Sequence, residues 1–164
     1  TMSMLGFESG DYVVYPSHGV GKVKGIESQT IAGHDLQVFV IDFEKDRMTL
    51  RIPLAKAKNS GLRRLSSRTE MEEALKILRG RSRAKRAMWS RRAQEYEQKI
   101  NSGDPVSIAE VVRDLYRHAN QSEQSYSERQ IYQAALERLA REFAVIEEIE
   151  EDAAICKVEE MLAA

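Results

Sequence analysis

At Ser67 the chain changes its period, and one kind of secondary structure cannot serve both sides of that point. Before it, apolar residues alternate with polar ones or Gly, as in Val20-Gly21-Lys22-Val23-Lys24-Gly25-Ile26, which suits strands with one buried face. After it they recur at intervals of three and four, as in Met71, Ala74, Leu75 and Leu78, which suits helices. The expected fold class is therefore α+β. A small β module over residues 1–67 should be followed by an all-α helical bundle over 68–164, with no long linker and no internal repeat.

In the β module, Asp11–Tyr15 is a short aromatic and β-branched run, and Pro16–Gly19 reads as a turn. Residues 20–26 form a strand, Ile31–Asp35 a turn, and Leu36–Phe43 the strongest strand. The last is apolar on both faces in its middle, which places it centrally. Glu44–Arg47 is a polar hairpin loop, Met48–Pro53 returns as a strand, and Gly61–Leu65 could close the sheet. Pro53 has no donor and should end its strand or lie at an edge. Four or five short strands in about 55 residues suggest a Tudor- or SH3-like barrel.

In the helical part, Ser67 or Thr69 caps a helix reaching about Leu78, with Glu70, Glu72 and Glu73 near its positive end. Gly80 breaks it. A second helix is expected over Arg83–Asn101, with Trp89, Ala93, Tyr96 and Ile100 on one stripe. Gly103 ends that helix, and Asp104-Pro105 starts a third that runs to about Ala119, with Ile108, Val111, Val112 and Leu115 inward. After a polar loop, Ser127 caps the longest helix, with Ile131, Ala135, Leu139, Phe143 and Ile146 inward. Glu147–Asp152 interrupts the pattern before a final helix over Ala153–Leu162.

The formal net charge of −1 conceals a strong asymmetry. Residues 68–101 carry 10 basic and 5 acidic side chains, whereas 102–164 carry 6 and 14. Seven of the cations (Arg79, Arg81, Arg83, Lys85, Arg86, Arg91, Arg92) fall in one stretch without an acid, and it contains the only tryptophan, Trp89. On a continuous helix, Lys85, Arg86 and Arg92 share the face of Trp89. A basic face with an aromatic plate suits a nucleic-acid backbone beside an openable base. Core packing alone would also account for Trp89, and a solvated helix face for the cations. The acidic end is either a solvated face or a device that keeps that end away from DNA.

Other chemistry finds little support. His18, His34 and His118 have no metal-ligand spacing, and His18 and His34 are expected to be exposed. Cys156 should be a small core residue, and a lone cysteine fits a reducing cytoplasm. There is no P-loop, nucleophile elbow, dinucleotide fingerprint or zinc-protease motif. His18-Gly19-Val20-Gly21 is too short for a phosphate loop and reads as a turn. The expectation is a non-enzymatic protein without cofactors, signal peptide or membrane span. Thr1 is expected to be a cloning remnant, with the natural start at Met2 or Met4.

The run Gly10-Asp11-Tyr12-Val13-Val14-Tyr15-Pro16-Ser17-His18-Gly19-Val20-Gly21 resembles the opening of the bacterial CarD/CdnL family, shared with the polymerase-interacting module of transcription-repair coupling factors. The resemblance continues through Thr49-Leu50-Arg51-Ile52-Pro53, Trp89-Ser90-Arg91-Arg92 and Ala109-Glu110-Val111-Val112-Arg113-Asp114-Leu115-Tyr116. The later matches, without helicase motifs, point to the stand-alone CdnL-like regulators. It implies that the Tudor-like module adds its sheet edge to the β1 lobe of the RNA polymerase β subunit. Arg51 matches the family's polymerase-contacting arginine, with Thr49, Leu50, Ile52 and Pro53 as its neighbours. It also implies that the helical part lies on promoter DNA at the upstream edge of the bubble. Trp89 matches the wedge that hinders bubble collapse, Arg91 and Arg92 match basic positions beside it, and Arg129 falls near a further one. Lys85 and Arg86 would add to that DNA surface.

Two positions depart from relatives. Ala93-Gln94 stands where actinobacterial members have Tyr-Lys, and Gln29 stands where some members have arginine. The extra cations of Arg79–Arg86 could compensate for the first. Met161-Leu162-Ala163-Ala164 is similar to C-terminal tags read by energy-dependent proteases, or is simply a frayed helix end. The expectation is a cytoplasmic monomer, nucleoid-associated through RNA polymerase. The alternative is a general Tudor- or SH3-type nucleic-acid-binding module, for example ribosome-associated, that ignores polymerase.

Overall fold

The alternating N-terminal sequence folds as a five-stranded antiparallel sheet, and the three-and-four pattern after it folds as helices. The computed structural model describes residues 6–83, 87–117 and 121–164. The chain divides between Leu65 and Ser66 into two compact units.

In the first unit the strands are β1 (Tyr12–Tyr15), β2 (Gly19–Ile31), β3 (His34–Phe43), β4 (Met48–Pro53) and β5 (Arg63–Arg64), with a short helix α1 (Leu54–Ala57) after β4. Their order is β4-β3-β2-β1-β5, so β3 is internal, β2 is at the centre, and β4 and β5 are the edges. The residues around 31–35, expected as a turn, mostly extend the two strands instead. The turn itself is only Ala32-Gly33, between the paired Ile31 and His34. Both turn residues have positive φ, 52° and 79°, the handedness that matches strand twist in a tight hairpin. The register of β2 against β3 shifts between Val23 and Gly25, which places a bulge at Lys24. Gly21 lies inside β2, in the strand expected from Val20 onward. A Cβ there would fall 2.6 Å from Ile41 Cγ2 and 2.7 Å from Phe43 Cε1, so the strand packs against side chains that no larger residue would admit. Phe7, Val13, Val23, Phe39, Ile41, Phe43 and Ile52 form the core of this unit. His18 is half-buried rather than exposed. Its ring stacks on Tyr15 at 5.6 Å and tilts against Phe43 at 5.5 Å.

The second unit begins with a capping box. Ser67 accepts from the Glu70 amide, and Glu70 accepts from the Ser67 amide, which opens α2 (Arg68–Lys76). A 3-10 turn, Ile77–Arg79, follows and ends at Gly80. Ser67→Ala should therefore lower the unfolding free energy by about 1 kcal/mol, read by urea titration, whereas Thr69→Ala should not. Helices α3 (Trp89–Asn101), α4 (Pro105–Leu115), α5 (Tyr126–Glu147) and α6 (Glu151–Ala163) complete the unit. Met71, Leu78, Tyr96, Ile100, Val111, Val112, Leu115, Leu139, Phe143 and Val158 are among its core residues.

Several boundaries differ from expectation. The second helix starts at Trp89, with Met88 extended at its N-cap, instead of near Arg83. Helix α4 stops at Leu115 because Tyr116 turns to ψ 137° and Gln124 donates its side-chain amide to the Leu115 carbonyl. Ala119 lies outside the described residues. The α5 cap is Ser125, whose Oγ accepts from the Glu128 amide, and not Ser127. Glu148 adopts positive φ, and α6 then begins at Glu151. On α6 the buried positions are Ala154, Val158 and Leu162, four apart, which leaves Cys156 exposed and outside the core. Among the described residues no helix is long and apolar enough to cross a membrane.

Candidate nucleic-acid interface

Trp89 is the first residue of α3, so its ring leaves the helix at the end where the backbone amides are free. It is half-buried against the helical core. Three contacts brace it. The indole Nε1 donates to Ser127 Oγ at 3.0 Å, its ring lies 6.2 Å from that of Tyr96 at 50°, and the Arg92 guanidinium sits 5.5 Å from the indole centroid. Arg92 also lies 5.7 Å from the Tyr96 ring and donates from Nη2 to its hydroxyl at 3.1 Å. One helical stripe, Trp89-Arg92-Tyr96, thus makes an alternating stack of aromatic and cation. One portion of Trp89 packs on the core, as the packing reading expected, and another remains accessible.

The helix start also separates the cations. Lys85 and Arg86 lie outside the described residues. Met88 is extended at the N-cap, so α3 itself begins at Trp89. Arg91 points away from the stack. Its side chain is 78% exposed and lies 3.9 Å from Glu95. Arg92 is half-buried and works first as a brace. Arg129 is exposed in the first turn of α5, two residues past Ser127 and on the face of Tyr126. The structure therefore brings Arg129 to the same helix end as the Trp89 contact, but not onto it. Met88 and Tyr126, which immediately precede Trp89 and Ser127, are 78% and 77% exposed and give this end an apolar rim.

The remaining arginines, Arg79, Arg81 and Arg83, are exposed on the path from α2 toward α3. That path is hung on α4. Ser82 Oγ donates to the Asp114 carbonyl at 3.3 Å, and the Arg83 amide donates to Asp114 Oδ1 at 2.9 Å. The same carboxylate oxygen accepts Arg113 Nε at 2.9 Å, with the two side chains only 8% and 6% exposed. Asp114, Ser127 and Tyr96 thus organise the basic segment, and none was singled out from sequence for that purpose. The available signal was Asp114 itself, an acid set among the inward positions Val111, Val112 and Leu115.

On the first unit, the matched strand Thr49–Pro53 lies in edge strand β4. Its side chains alternate. Ile52 is buried and Leu50 packs against the core, while Thr49 and Arg51 face out. Ile52 is therefore turned into the core, and Leu50 is partly covered by it. Arg51 reaches across β3 to Glu27 on β2, with Nε 3.1 Å from Oε2 and both side chains about half exposed. Thr49 donates to Asp42 at 3.3 Å, and half-buried Pro53 closes the strand opposite Val38. Among the described residues, no strand lies beyond the outer edge of β4 in the sheet.

Comparison with known proteins agrees with both halves. Residues 7–66 match the CarD-like/TRCF RID domain, and residues 73–159 match the CarD C-terminal domain. A Bacillus subtilis protein named "Putative transcription factor YdeB" is 31% identical over 145 residues, covering 88% of this chain and 95% of that relative. The two matched domains follow one another along the chain with nothing else of comparable size between them, and on this ground the chain belongs to the CarD family.

Proposed function

We propose that this protein is a non-enzymatic transcription regulator of the cytoplasm. It docks on the RNA polymerase β subunit through edge strand β4 and sets Trp89 against promoter DNA at the upstream edge of the bubble, which prolongs the open complex. Its family membership supports the transcriptional role. The observation that carries the DNA half is the braced indole, because Ser127, Tyr96 and Arg92 hold Trp89 in one pose beside exposed cations. A plate held before binding loses little side-chain entropy on meeting DNA. In this reading the sheet is a Tudor-like barrel, bent by the Lys24 bulge, and β4 takes an added strand from the polymerase. Arg51, aligned by Glu27, gives that edge its charge preference. Arg91 and Arg129 contact phosphates, and Arg92 supports the indole.

The docking half is tested by capture of purified polymerase β on immobilised protein. Arg51→Glu places a second carboxylate beside Glu27 and should weaken capture by about tenfold or more, as loss of a docked charge does. Glu27→Gln keeps the cation and should have a smaller effect. Unchanged capture by Arg51→Glu would remove polymerase from the reading and leave a general nucleic-acid-binding module.

A further inference from the structure

Beside the Trp89 stack, within the second unit, α3, α4 and the Gly80–Arg83 segment enclose an open cleft of 410 Å³. Three cations line it from two elements: Arg83 from the segment before α3, and Arg92 and Lys99 from α3 itself, two turns apart. Gln98 adds a neutral amide. Of the two acids in the wall, Asp114 is held closely by Arg113 at 2.9 Å, and Glu95 lies 3.9 Å from Arg91. Lys99 lies 3.8 Å from Glu110, a pair as loose as that of Glu95. Arg92 Nε is buried and has no hydrogen-bond partner among the described residues. Three cations thus face a concave surface with two acids, of which Asp114 is already taken by Arg113. Two guanidinium groups with an ammonium and an amide match the oxygens of a phosphate ester. The volume lies within the range of about 300–1,000 Å³ that holds a small ligand.

We infer that this cleft is a phosphate subsite in which Lys99, Arg83 and Gln98 hold a phosphate ester next to the indole. The inference extends the DNA reading, because Arg92 both covers Trp89 and lines the cleft. A strand whose base meets Trp89 would place a neighbouring backbone phosphate there. The same chemistry would accept a free phosphorylated molecule, and the test separates the two sources.

Fluorescence anisotropy would compare a forked duplex carrying a single-stranded tail with a blunt duplex of equal length. The wild type should prefer the fork. Lys99→Ala should abolish that preference and reduce the log–log salt slope on the fork by about 0.7, one single-strand phosphate contact. Binding to the blunt duplex and the circular dichroism spectrum should not change, and Lys99→Arg should retain the preference. In a second arm, inorganic pyrophosphate is titrated while the Gln98 and Lys99 amide resonances are followed. Loss of fork preference in Lys99→Ala assigns the cleft to the DNA strand. A pyrophosphate shift that vanishes in Lys99→Ala, with fork preference intact, assigns it to a free phosphorylated molecule. No effect of Lys99→Ala in either arm overturns the subsite. If the wild type binds neither DNA, the DNA half of the proposed function fails, and the pyrophosphate arm alone decides the cleft.

Discussion

Trp89→Ala is expected to shorten the lifetime of the promoter open complex by roughly one to two decades at saturating protein. A stacked base is worth about 1–3 kcal/mol, and each 1.36 kcal/mol acting only on the open state is about tenfold in its rate of collapse. Polymerase capture through β4 should be unaffected, since Trp89 and β4 belong to different units. The half-buried position of Trp89 makes alanine an ambiguous change by itself, because it also removes packing against Tyr96 and leaves Arg92 without one aromatic face. Two further variants separate these effects. Trp89→Phe keeps a plate but loses the Nε1 donor, and Ser127→Ala removes the acceptor while leaving the indole whole. If bracing matters as well as stacking, both should fall between wild type and Trp89→Ala. Equal lifetimes for wild type and a folded Trp89→Ala protein would discard the wedge and leave polymerase docking standing.

Local chemistry made much of this architecture readable. Ser67 with Glu70, Asp104 with Pro105, and the stripe from Ile131 to Phe143 each specify a helix through groups close in sequence, and each appears in the structure. The failures occurred where distant residues decide. Periodicity carried a helix back through Arg83, but Asp114, far along the chain, accepts the Arg83 amide, and Arg83 lies outside any helix. Ser127 and Ser125 are equally good caps in sequence. Only the fold shows that Ser125 caps while Ser127 binds the indole. Cys156 was placed inside because its neighbours are apolar, yet the buried face of α6 is set by Ala154, Val158 and Leu162. The candidate site shows the same division. Residue types and their order nominated Trp89 and its cations as candidates, but the split of Arg91 toward solvent and Arg92 toward the indole needed coordinates. Lys99 was invisible as a site residue because the cleft joins it to Arg83 only through the tertiary fold.

Asp114→Ala should be the most destabilising of the substitutions considered. Removing one member of a buried ion pair costs about 3–5 kcal/mol, because the remaining charge stays buried without a partner. Here Arg113 would be left so, and the Arg83 amide would lose its acceptor as well. For a unit of this size the midpoint of thermal unfolding should fall by more than about 10 °C, with the first unit's transition unchanged. Asp114→Asn retains an oxygen for the Arg83 amide and should lose less. The pair Arg113→Met with Asp114→Leu gives the sharper comparison, since replacing a buried ion pair by apolar residues of similar size is often neutral or stabilising. That double variant should recover most of the thermal stability, yet it cannot anchor the Arg83 amide. Its affinity for forked DNA should therefore remain low although the helices have refolded. If the double variant regained both stability and DNA affinity, Asp114 would be no more than the counter-ion of Arg113, and the anchoring of the basic segment would owe nothing to it.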